Sequence, residues 1–575
     1  MGVDMTKVVK FSEMPYHRPD LTEAEERTAL ITRKLVDAAD YKEAREAFLM
    51  MEAEHKRITT QANLASIRHS IDTRVEFYDK EVTFWNGARP RLRASVQKFD
   101  RALLESPFRA KLEEEFGAVA FLNIEIEDRS FSPELIPDMK EVNDLSQEYM
   151  KIIASAQIPF EGGVYTLSQL TPFKRDRDDA RRLAAWKAEG KWYKEHQEDL
   201  DRIYDRMVHL RDRMGKALGY RDFTELGYDR MNRNCYRREE VEKFRAAVRK
   251  YIVPVADRIC RKQAQRIGVP YPLSFADLAL EFRSGNPAPA GTQEEILESG
   301  QIFYDNLSKE TGDFFRMMRE YELMDVASRE GKESGGYCQS LPDYGVPFIF
   351  ANFNGTQGDV EVVTHEAGHA FAAYINKDRV PSSTVWPSLD GCEVHSMSME
   401  FFAWPWAEKF FGPDTPKYLY SHLASALTFI PYGTMVDHFQ HEVYDRPDMT
   451  PAERHGVWKE LLGVYMPWVR LDGEIPFYSE GEGWQRQHHI YNYPYYYIDY
   501  CLAQTVSLEF WSMIRKDVHS AWDKYMTYTR LGGSDVFTGL LAAAGLMSPF
   551  DEECMRKVSE SAAEWLDAFD EKLLS

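Results

Sequence analysis

Apolar residues recur at three- and four-residue steps along much of the chain. Residues 20–118 combine this spacing with a high content of Ala, Glu, Leu, Lys and Arg, which is typical of long amphipathic helices. The same pattern returns over residues 173–268 and resumes after a loop rich in proline and glycine at 269–296. The rest of the chain also reads mostly as helix. The pattern therefore predicts a mainly α protein.

Three stretches depart from the helical pattern. Within residues 120–172, the run "FLNIEIE" alternates apolar and polar positions, and "IPFEGGVY" has the Gly-Gly signal of a β-hairpin. The third stretch, "VPFIFANF" at 346–353, predicts a short strand, either at the edge of a sheet or buried within it. We place a boundary near residue 170. It separates an N-terminal helical lobe, 1–170, from a second region, 171–575, which contains the candidate catalytic motif described below.

Composition and charge narrow the function classes. The 575 residues carry a net charge of −22, which argues against nucleic-acid binding and against a polybasic membrane anchor. The start has no apolar signal-peptide core. "MGVDMT" fits the myristoylation pattern, but an acid at Asp4 and the lack of a basic cluster argue against it. Six scattered cysteines suit reduced thiols. We expect an acidic, cytoplasmic protein.

The segment "VVTHEAGHAF" carries the strongest chemical signal. His365 and His369 are four residues apart, so a helix places both imidazoles on one face, as two ligands of one metal ion must be. Glu366 follows the first histidine and would reach a water molecule bound to that metal rather than the metal itself. This division into two ligands and one base is typical of the HExxH motif. The alternative is two histidines satisfied by neighbouring carboxylates. His441 is also followed by a glutamate but lacks a second histidine, and we interpret that pair as surface.

A catalytic zinc site needs a third protein ligand and an open position. The zinc proteases with a third histidine six residues after the second are excluded, because Ile375 stands there. The segment "DGCEVHSMSMEFFAW" supplies Glu393 as the candidate, with His395 as a rival. Glu400 lies on the same face and either hydrogen-bonds a ligand histidine or faces solvent. Gly368 inside the motif helix suggests close approach of this second helix.

"FNGTQGDVEVVTHEAGHAF", followed by "EVHSMSMEFF", resembles the thimet oligopeptidase and oligoendopeptidase F family of zinc metallopeptidases. "SEGEGWQRQHHIYNYPYYYIDYCLAQ" and "LGGSDVFTGLLAAAGLMSPF" are also similar. The resemblance implies one zinc ion held by His365, His369 and Glu393, with Glu366 as the general base. It also implies two helical lobes around a deep central channel, with a small β-sheet near the zinc site.

A second cluster lies in "HHIYNYPYYYIDY". The oxyanion formed in peptide hydrolysis needs neutral hydrogen-bond donors, which tyrosine and histidine provide near pH 7. By the resemblance, His489 matches the family's histidine on a mobile loop facing the zinc. Pro494 interrupts the tyrosine pattern. We assign the oxyanion contact to Tyr497 ahead of the other tyrosines and expect substrate contacts from three: Tyr493, Tyr496 and Tyr500.

These observations predict a zinc-dependent endopeptidase that cleaves internal bonds of short, unfolded oligopeptides. Its partners are then peptide substrates, with neither nucleic acid nor membrane. Two alternatives stay open. A zinc carboxypeptidase or dipeptidyl peptidase needs a charged anchor for a peptide terminus, and the sequence does not locate one. A non-catalytic helical scaffold with a structural zinc site is disfavoured by Glu366 and by the donor cluster.

Overall fold

A computed structural model describes residues 8–574, most of which are helical. The myristoylation pattern lies outside the described residues. The helices up to residue 280 are α1 Leu21–Val36, α2 Tyr41–Ile71, α3 Glu76–Leu104, α4 Arg109–Phe116, α5 Ala118–Arg129, α6 Ile136–Ala154, α7 Leu167–Leu170, α8 Asp179–Ala217, α9 Phe223–Arg230, α10 Arg238–Ala247, α11 Val253–Ile267 and α12 Phe275–Leu278.

The later helices include both candidate ligand helices. They are α13 Gln293–Leu307, α14 Lys309–Glu320, α15 Gln357–Ile375, α16 Leu389–Phe402, α17 Ala407–Phe411, α18 Thr415–Asp445, α19 Pro451–Tyr465, α20 His488–Asn492, α21 Tyr497–Ile514, α22 Val518–Leu531, α23 Phe537–Ala543 and α24 Glu552–Ala568. Several begin at a polar cap: Asp20 accepts a hydrogen bond from the Glu23 amide at α1, and Thr450 forms a capping box with Glu453 at α19.

Two small sheets accompany the helices. The predicted hairpin is present as β1, Ile158–Phe160, and β2, Gly163–Tyr165, joined by a two-residue turn with positive φ at both positions. The second sheet contains β3 Met324–Ala327, β4 Tyr337–Leu341 and β5 Val346–Phe353 in the order β3-β5-β4.

The segment "VPFIFANF" forms the central strand β5, not an edge strand. It pairs in parallel with β3 and antiparallel with β4, and nearly all of its residues are buried. The edge hypothesis for this strand is therefore wrong. The continuous apolar run is the pattern of a strand covered on both faces, and β4 is one of the two edges.

The alternating run at 121–127 is also not a strand. It lies in helix α5, where Phe121 is buried and stacks on Phe48 of α2 with ring centroids 6.2 Å apart. Phe48 and Phe121 belong to a core shared with Phe99 and Phe116. A short alternation fixes a strand only when a partner strand is available, and here packing against neighbouring helices decides the conformation.

The chain divides into two compact units that are both discontinuous in sequence. Unit 1 contains residues 8–128, 288–415 and 513–546, and unit 2 contains 129–287, 416–512 and 547–574. A mainly α fold with small sheets is confirmed. The deep channel between lobes and the boundary near residue 170 stay predictions. Among residues 8–574, no helix is long and apolar enough to cross a membrane.

Candidate metal centre and active site

The motif helix α15 follows β5 through a turn that Asp359 holds. The Asp359 carboxylate accepts hydrogen bonds from the amides of Asn354 at 2.9 Å and Gly355 at 2.8 Å. Thr356 is the N-cap residue, but its side chain makes no capping hydrogen bond. Asp359 therefore organises the helix start without a cap from the Thr356 side chain. The chain leaves the buried strand β5 and enters the helix that carries His365, Glu366 and His369.

Helix α16 approaches α15 closely because Gly368 has no side chain. A Cβ at Gly368 would lie 2.8 Å from the His395 carbonyl oxygen and 2.9 Å from Ser396 Cα. Any side chain at residue 368 would force the helices apart. The unfavourable glycine in the middle of α15 thus permits the contact that brings α16, and with it Glu393, to the motif histidines.

His365, His369 and Glu393 converge on one point within unit 1. Their ligand atoms all lie within 4.8 Å of one another. Glu393 Oε2 lies 3.5 Å from His365 Nε2 and 3.4 Å from His369 Nε2. Ligands about 2.0–2.1 Å from a tetrahedral zinc lie about 3.3 Å apart. Two imidazole nitrogens and a carboxylate oxygen at this separation fit a zinc ion.

Glu400 contacts a ligand histidine and does not point to solvent. Its Oε1 accepts a hydrogen bond from His365 Nδ1 at 2.7 Å. The proton on Nδ1 leaves the lone pair on Nε2, which is the nitrogen that faces Glu393 and His369. A carboxylate behind a ligand imidazole is the usual support of a metal-binding histidine. The open alternative for Glu400 is thereby resolved.

The electrostatics of Glu393 favour a carboxylate anion. Burial by itself raises its pKa, but His369 and His365 beside it outweigh this and lower the pKa below the usual value. His395, the rival ligand, lies outside the converging group. It is fully buried with its ring 5.0 Å from the ring of Tyr528, and burial lowers its pKa to about 3.

Glu366 is half-buried next to this group and accepts no hydrogen bond within residues 8–574. The small sheet lies beside it, because a Cβ at Gly336, just before β4, would be 3.9 Å from Glu366 Oε1. An unengaged carboxylate next to the converging ligands is chemically able to accept a proton from water.

His489 lies in unit 2 and is held through one ring nitrogen. Gln487 Nε2 donates a hydrogen bond to His489 Nδ1 at 2.7 Å, and the Tyr432 hydroxyl donates to Gln487 Oε1 at 2.9 Å. With Nδ1 accepting, the proton of the neutral ring is on Nε2. Burial, and then His488, lower the pKa of His489 to about 4. His489 is therefore a neutral N–H donor near pH 7.

Of the predicted tyrosines, Tyr497 lies nearest to His489, with ring centroids 5.0 Å apart. Its hydroxyl makes no hydrogen bond within the described chain, so it is available to a ligand. The centroids of Tyr496, Tyr500 and Tyr493 lie 6.0, 6.2 and 6.3 Å from His489. The structure brings the four tyrosines around one imidazole, with Tyr493 the most exposed at 55%.

The interpretation of His441 as a surface residue is wrong. His441 is 1% exposed and its Nε2 lies 3.0 Å from the Tyr228 hydroxyl. Helix α18 is buried on most faces. The charged residue Glu442 therefore does not indicate that its neighbour His441 is exposed. The Glu442 side chain lies near the surface, whereas His441 packs inside unit 2.

Sequence analysis missed Gln487 and Tyr432. Gln487 stands two residues before His489, and Tyr432 is more than fifty residues earlier on α18. No spacing rule connects a glutamine and a distant tyrosine to a histidine. Their roles follow from the fold, which places the Tyr432 hydroxyl and the Gln487 amide in line with the His489 ring.

Comparison with known proteins identifies the family. Peptidase M3 N-terminal domain matches residues 11–131, and Peptidase family M3 matches residues 306–560. Oligopeptidase PepF of Bacillus subtilis (strain 168) is 24% identical over 277 residues, which are 47% of this chain and 40% of that protein. The aligned part thus spans well under two thirds of that curated relative.

Solved structures match over almost the whole chain. A structure assigned to oligoendopeptidase F is 44% identical with a TM-score of 0.92, covering 98% of this chain and 100% of that one. PZ peptidase A with an inhibitor is 43% identical with a TM-score of 0.93 and the same coverage. A structure assigned to an oligoendopeptidase F from Bacillus anthracis str. Ames is 39% identical, with a TM-score of 0.88, and the match covers 98% of this chain and 99% of that one. The predicted family and enzyme class are therefore confirmed, and the chain belongs to the oligoendopeptidase F-like branch of the M3 metallopeptidases.

Proposed function

We propose that this protein is a zinc-dependent endopeptidase that hydrolyses internal bonds of short, unfolded peptides. The observation that carries the proposal is the convergence of His365, His369 and Glu393 beside an unengaged Glu366. The three donors suit one zinc ion with an open fourth position, as a catalytic site requires. Family membership and the similarity to named peptidases support the same conclusion.

In the proposed mechanism, this chain's residues hold the metal and move one proton. His365, His369 and Glu393 bind the zinc, and Glu400 keeps the His365 ring oriented. A zinc ion bound there supplies the Lewis acidity that makes water ionise near neutral pH. Glu366 takes the proton from the attacking water and returns it to the departing amine.

We assign stabilisation of the developing oxyanion to His489 and Tyr497. Support comes from the neutral Nε2–H of His489, which Gln487 fixes, and from the unengaged Tyr497 hydroxyl. A neutral donor stabilises negative charge that appears only in the transition state. Tyr493, Tyr496 and Tyr500 surround the same ring and are proposed to contact substrate.

Peptide backbones are proposed to add to β4, because β5 is internal. Gly336 leads into β4 beside Glu366, so a strand added there would run past the proposed base. Such pairing reads the backbone and tolerates many side chains. An unfolded peptide can adopt the extended form that this requires, and a folded protein cannot. We also propose a cytoplasmic location, which suits the six free cysteines.

Replacement of Glu366 by glutamine tests the proposal. We expect E366Q to retain one zinc per chain, because Glu366 is not a ligand, and to lose about 10³-fold or more in kcat for a quenched fluorescent peptide. E408Q, at an exposed position on α17, is the matched control and should behave as wild type. Full activity of E366Q would refute the assigned base. Products from a ten-residue peptide separate internal from terminal cleavage.

A further inference from the structure

A cleft in unit 2 carries positive charge in an otherwise acidic chain. Its volume is about 530 Å³, and its lining includes Lys174, Arg175 and Arg486 but no aspartate or glutamate. The whole chain has a net charge of −22. A second unit 2 cleft, lined by Arg129 and Asp229 among others, mixes acids with bases that pair with one another. The first cleft thus carries cations with no carboxylate in its lining, unlike the second.

Two of the three cations have no direct carboxylate partner. Lys174 Nζ lies 2.6 Å from Glu189 Oε2, so its charge is compensated. Arg175 and Arg486 are exposed, and neither guanidinium has a hydrogen bond or ion pair to any residue from 8 to 574. Arg486 instead lies over the ring of Tyr478 at 5.7 Å. The Glu189 carboxylate also acts on Arg486 at longer range. Two guanidinium groups without a directly bonded carboxylate in one cleft suit an anionic ligand.

The remaining walls are largely aromatic and lead to the His489 cluster. Trp186, Phe429 and Tyr432 line the cleft. Tyr432 is the residue that donates to Gln487, and Phe429 packs on Tyr497 with ring centroids 5.7 Å apart. Tyr432 and Phe429 therefore line the cationic cleft and also contact the residues of the proposed oxyanion site. The cleft and the donor cluster are therefore neighbours within unit 2.

We propose that Arg175 and Arg486 bind the C-terminal carboxylate of short peptide substrates, with the aromatic walls receiving the last side chains. This inference rests on the proposed peptidase function. Every unmodified peptide ends in a carboxylate next to a side chain, which matches a cleft lined by two guanidiniums and by aromatic rings. An acidic side chain offers the same anion, but only in some sequences.

Such an anchor selects for peptide length. A carboxylate bound in the cleft requires the C-terminus to lie a limited number of residues beyond the cleaved bond. The interaction is the same in the ground state and the transition state, so it should lower KM and leave kcat nearly unchanged. Short peptides with a free C-terminus then outcompete long or blocked ones.

Binding to E366Q tests the inference without turnover. One fluorescent ten-residue peptide is prepared as the free acid, as the C-terminal amide, and as the amide with a glutamate near the end. We expect the acid to bind about 10-fold more tightly than the amide, since a charge-assisted pair is lost. R486Q and R175Q, each combined with E366Q, should reduce this ratio to near one. R249Q, at an exposed position outside the cleft, should preserve it, and Tm values check folding.

The outcomes separate the two proposals. Equal binding of acid and amide, or an unchanged ratio in R486Q and R175Q, would overturn the anchor. Tight binding restored by the glutamate-bearing amide would also overturn it in favour of an acidic side-chain pocket. Cleavage of these peptides by the wild type in either case leaves the peptidase proposal standing. A preserved acid preference with no cleavage by the zinc-loaded wild type would refute the peptidase proposal alone.

Discussion

At the residue scale, two histidines show how a hydrogen bond at one ring nitrogen decides the chemistry at the other. His365 Nδ1 donates to the Glu400 carboxylate, whereas His489 Nδ1 accepts from the Gln487 amide. His365 therefore presents a lone pair on Nε2, suited to a cation. His489 presents a proton on Nε2, suited to an oxyanion. The hydrogen-bond partner at Nδ1 thus determines whether the Nε2 atom of a histidine can bind a cation or an anion.

Removal of the Glu400 carboxylate should weaken zinc binding although Glu400 is not a ligand. We expect E400A to reduce zinc affinity about 10–100-fold, because the His365 ring loses its orientation and its fixed tautomer. E400Q keeps an acceptor oxygen and should lose less. Competition with a chromophoric chelator measures both affinities. An E400A protein that binds zinc as tightly as wild type would contradict this role.

The titration of His489 predicts a pH effect on stability. Burial lowers its folded pKa to about 4, while an unfolded histidine titrates near 6.5. Between these values the unfolded chain binds the proton and the folded chain does not, so stability falls as the pH falls from 6.5 towards 4. Among the described residues, the titratable neighbours of the ring include His488, whose ring centroid is 4.0 Å away, and the surrounding tyrosines.

H489Q should therefore lose less stability than wild type on acidification. The Tm difference between pH 7.5 and pH 5 should shrink, by the equivalent of about 1 kcal/mol after allowance for the partial exposure of His489. H519Q, at an exposed position of α22, is the control and should change this difference little. An identical Tm difference in wild type and H489Q would rule out the lowered pKa.

At the element scale, the approach of α16 to α15 creates the candidate metal centre. Glu393 is 24 residues from His369 in sequence, and only the packing of these two helices brings its carboxylate to the imidazoles. Gly368 permits this packing at the point where His395 and Ser396 pass. A glycine that weakens a helix by about 1 kcal/mol is acceptable where it allows such a contact.

Substitution of Gly368 by alanine should show whether the steric clash with α16 outweighs the gain in stability that alanine normally gives inside a helix. G368A should destabilise the protein by about 1–3 kcal/mol, since its Cβ would overlap the α16 backbone, and zinc affinity should fall with it. Gly87 lies inside helix α3 with no atom within 4 Å of an added Cβ. G87A should therefore be neutral or stabilising. Thermal unfolding and zinc titration compare the two, and equal effects would refute the steric argument.

At the scale of the whole molecule, a zinc ion bound by two helices links metal binding to folding. A ligand that binds only the folded chain adds about 4 kcal/mol of stability at 1,000 times its Kd. Treatment with a chelator should lower the Tm of wild type, and one equivalent of zinc should restore it. H369A should show little shift. A wild-type Tm that is insensitive to chelator and zinc would count against a tight site.

Sequence patterns predicted most of the helical content, because amphipathic spacing reports burial on one face. They failed where packing decides. The alternating residues of α5 form a helix because Phe121 joins a helical core, and β5 is central because its strand partners come from both sides. His441 appeared exposed because its neighbour is charged, although α18 is buried along most of its length.

The sequence by itself determined the spacing of His365, Glu366 and His369, since helix geometry follows from the residues of one segment. It also determined an acidic, mainly helical chain and the family to which it belongs. Only the tertiary structure decided that Glu400 supports His365, that Gln487 and Tyr432 fix the proton on His489, and that Arg175 and Arg486 share one cleft. These relations join residues far apart in sequence, and local periodicity carries no information about which distant side chains folding brings into contact.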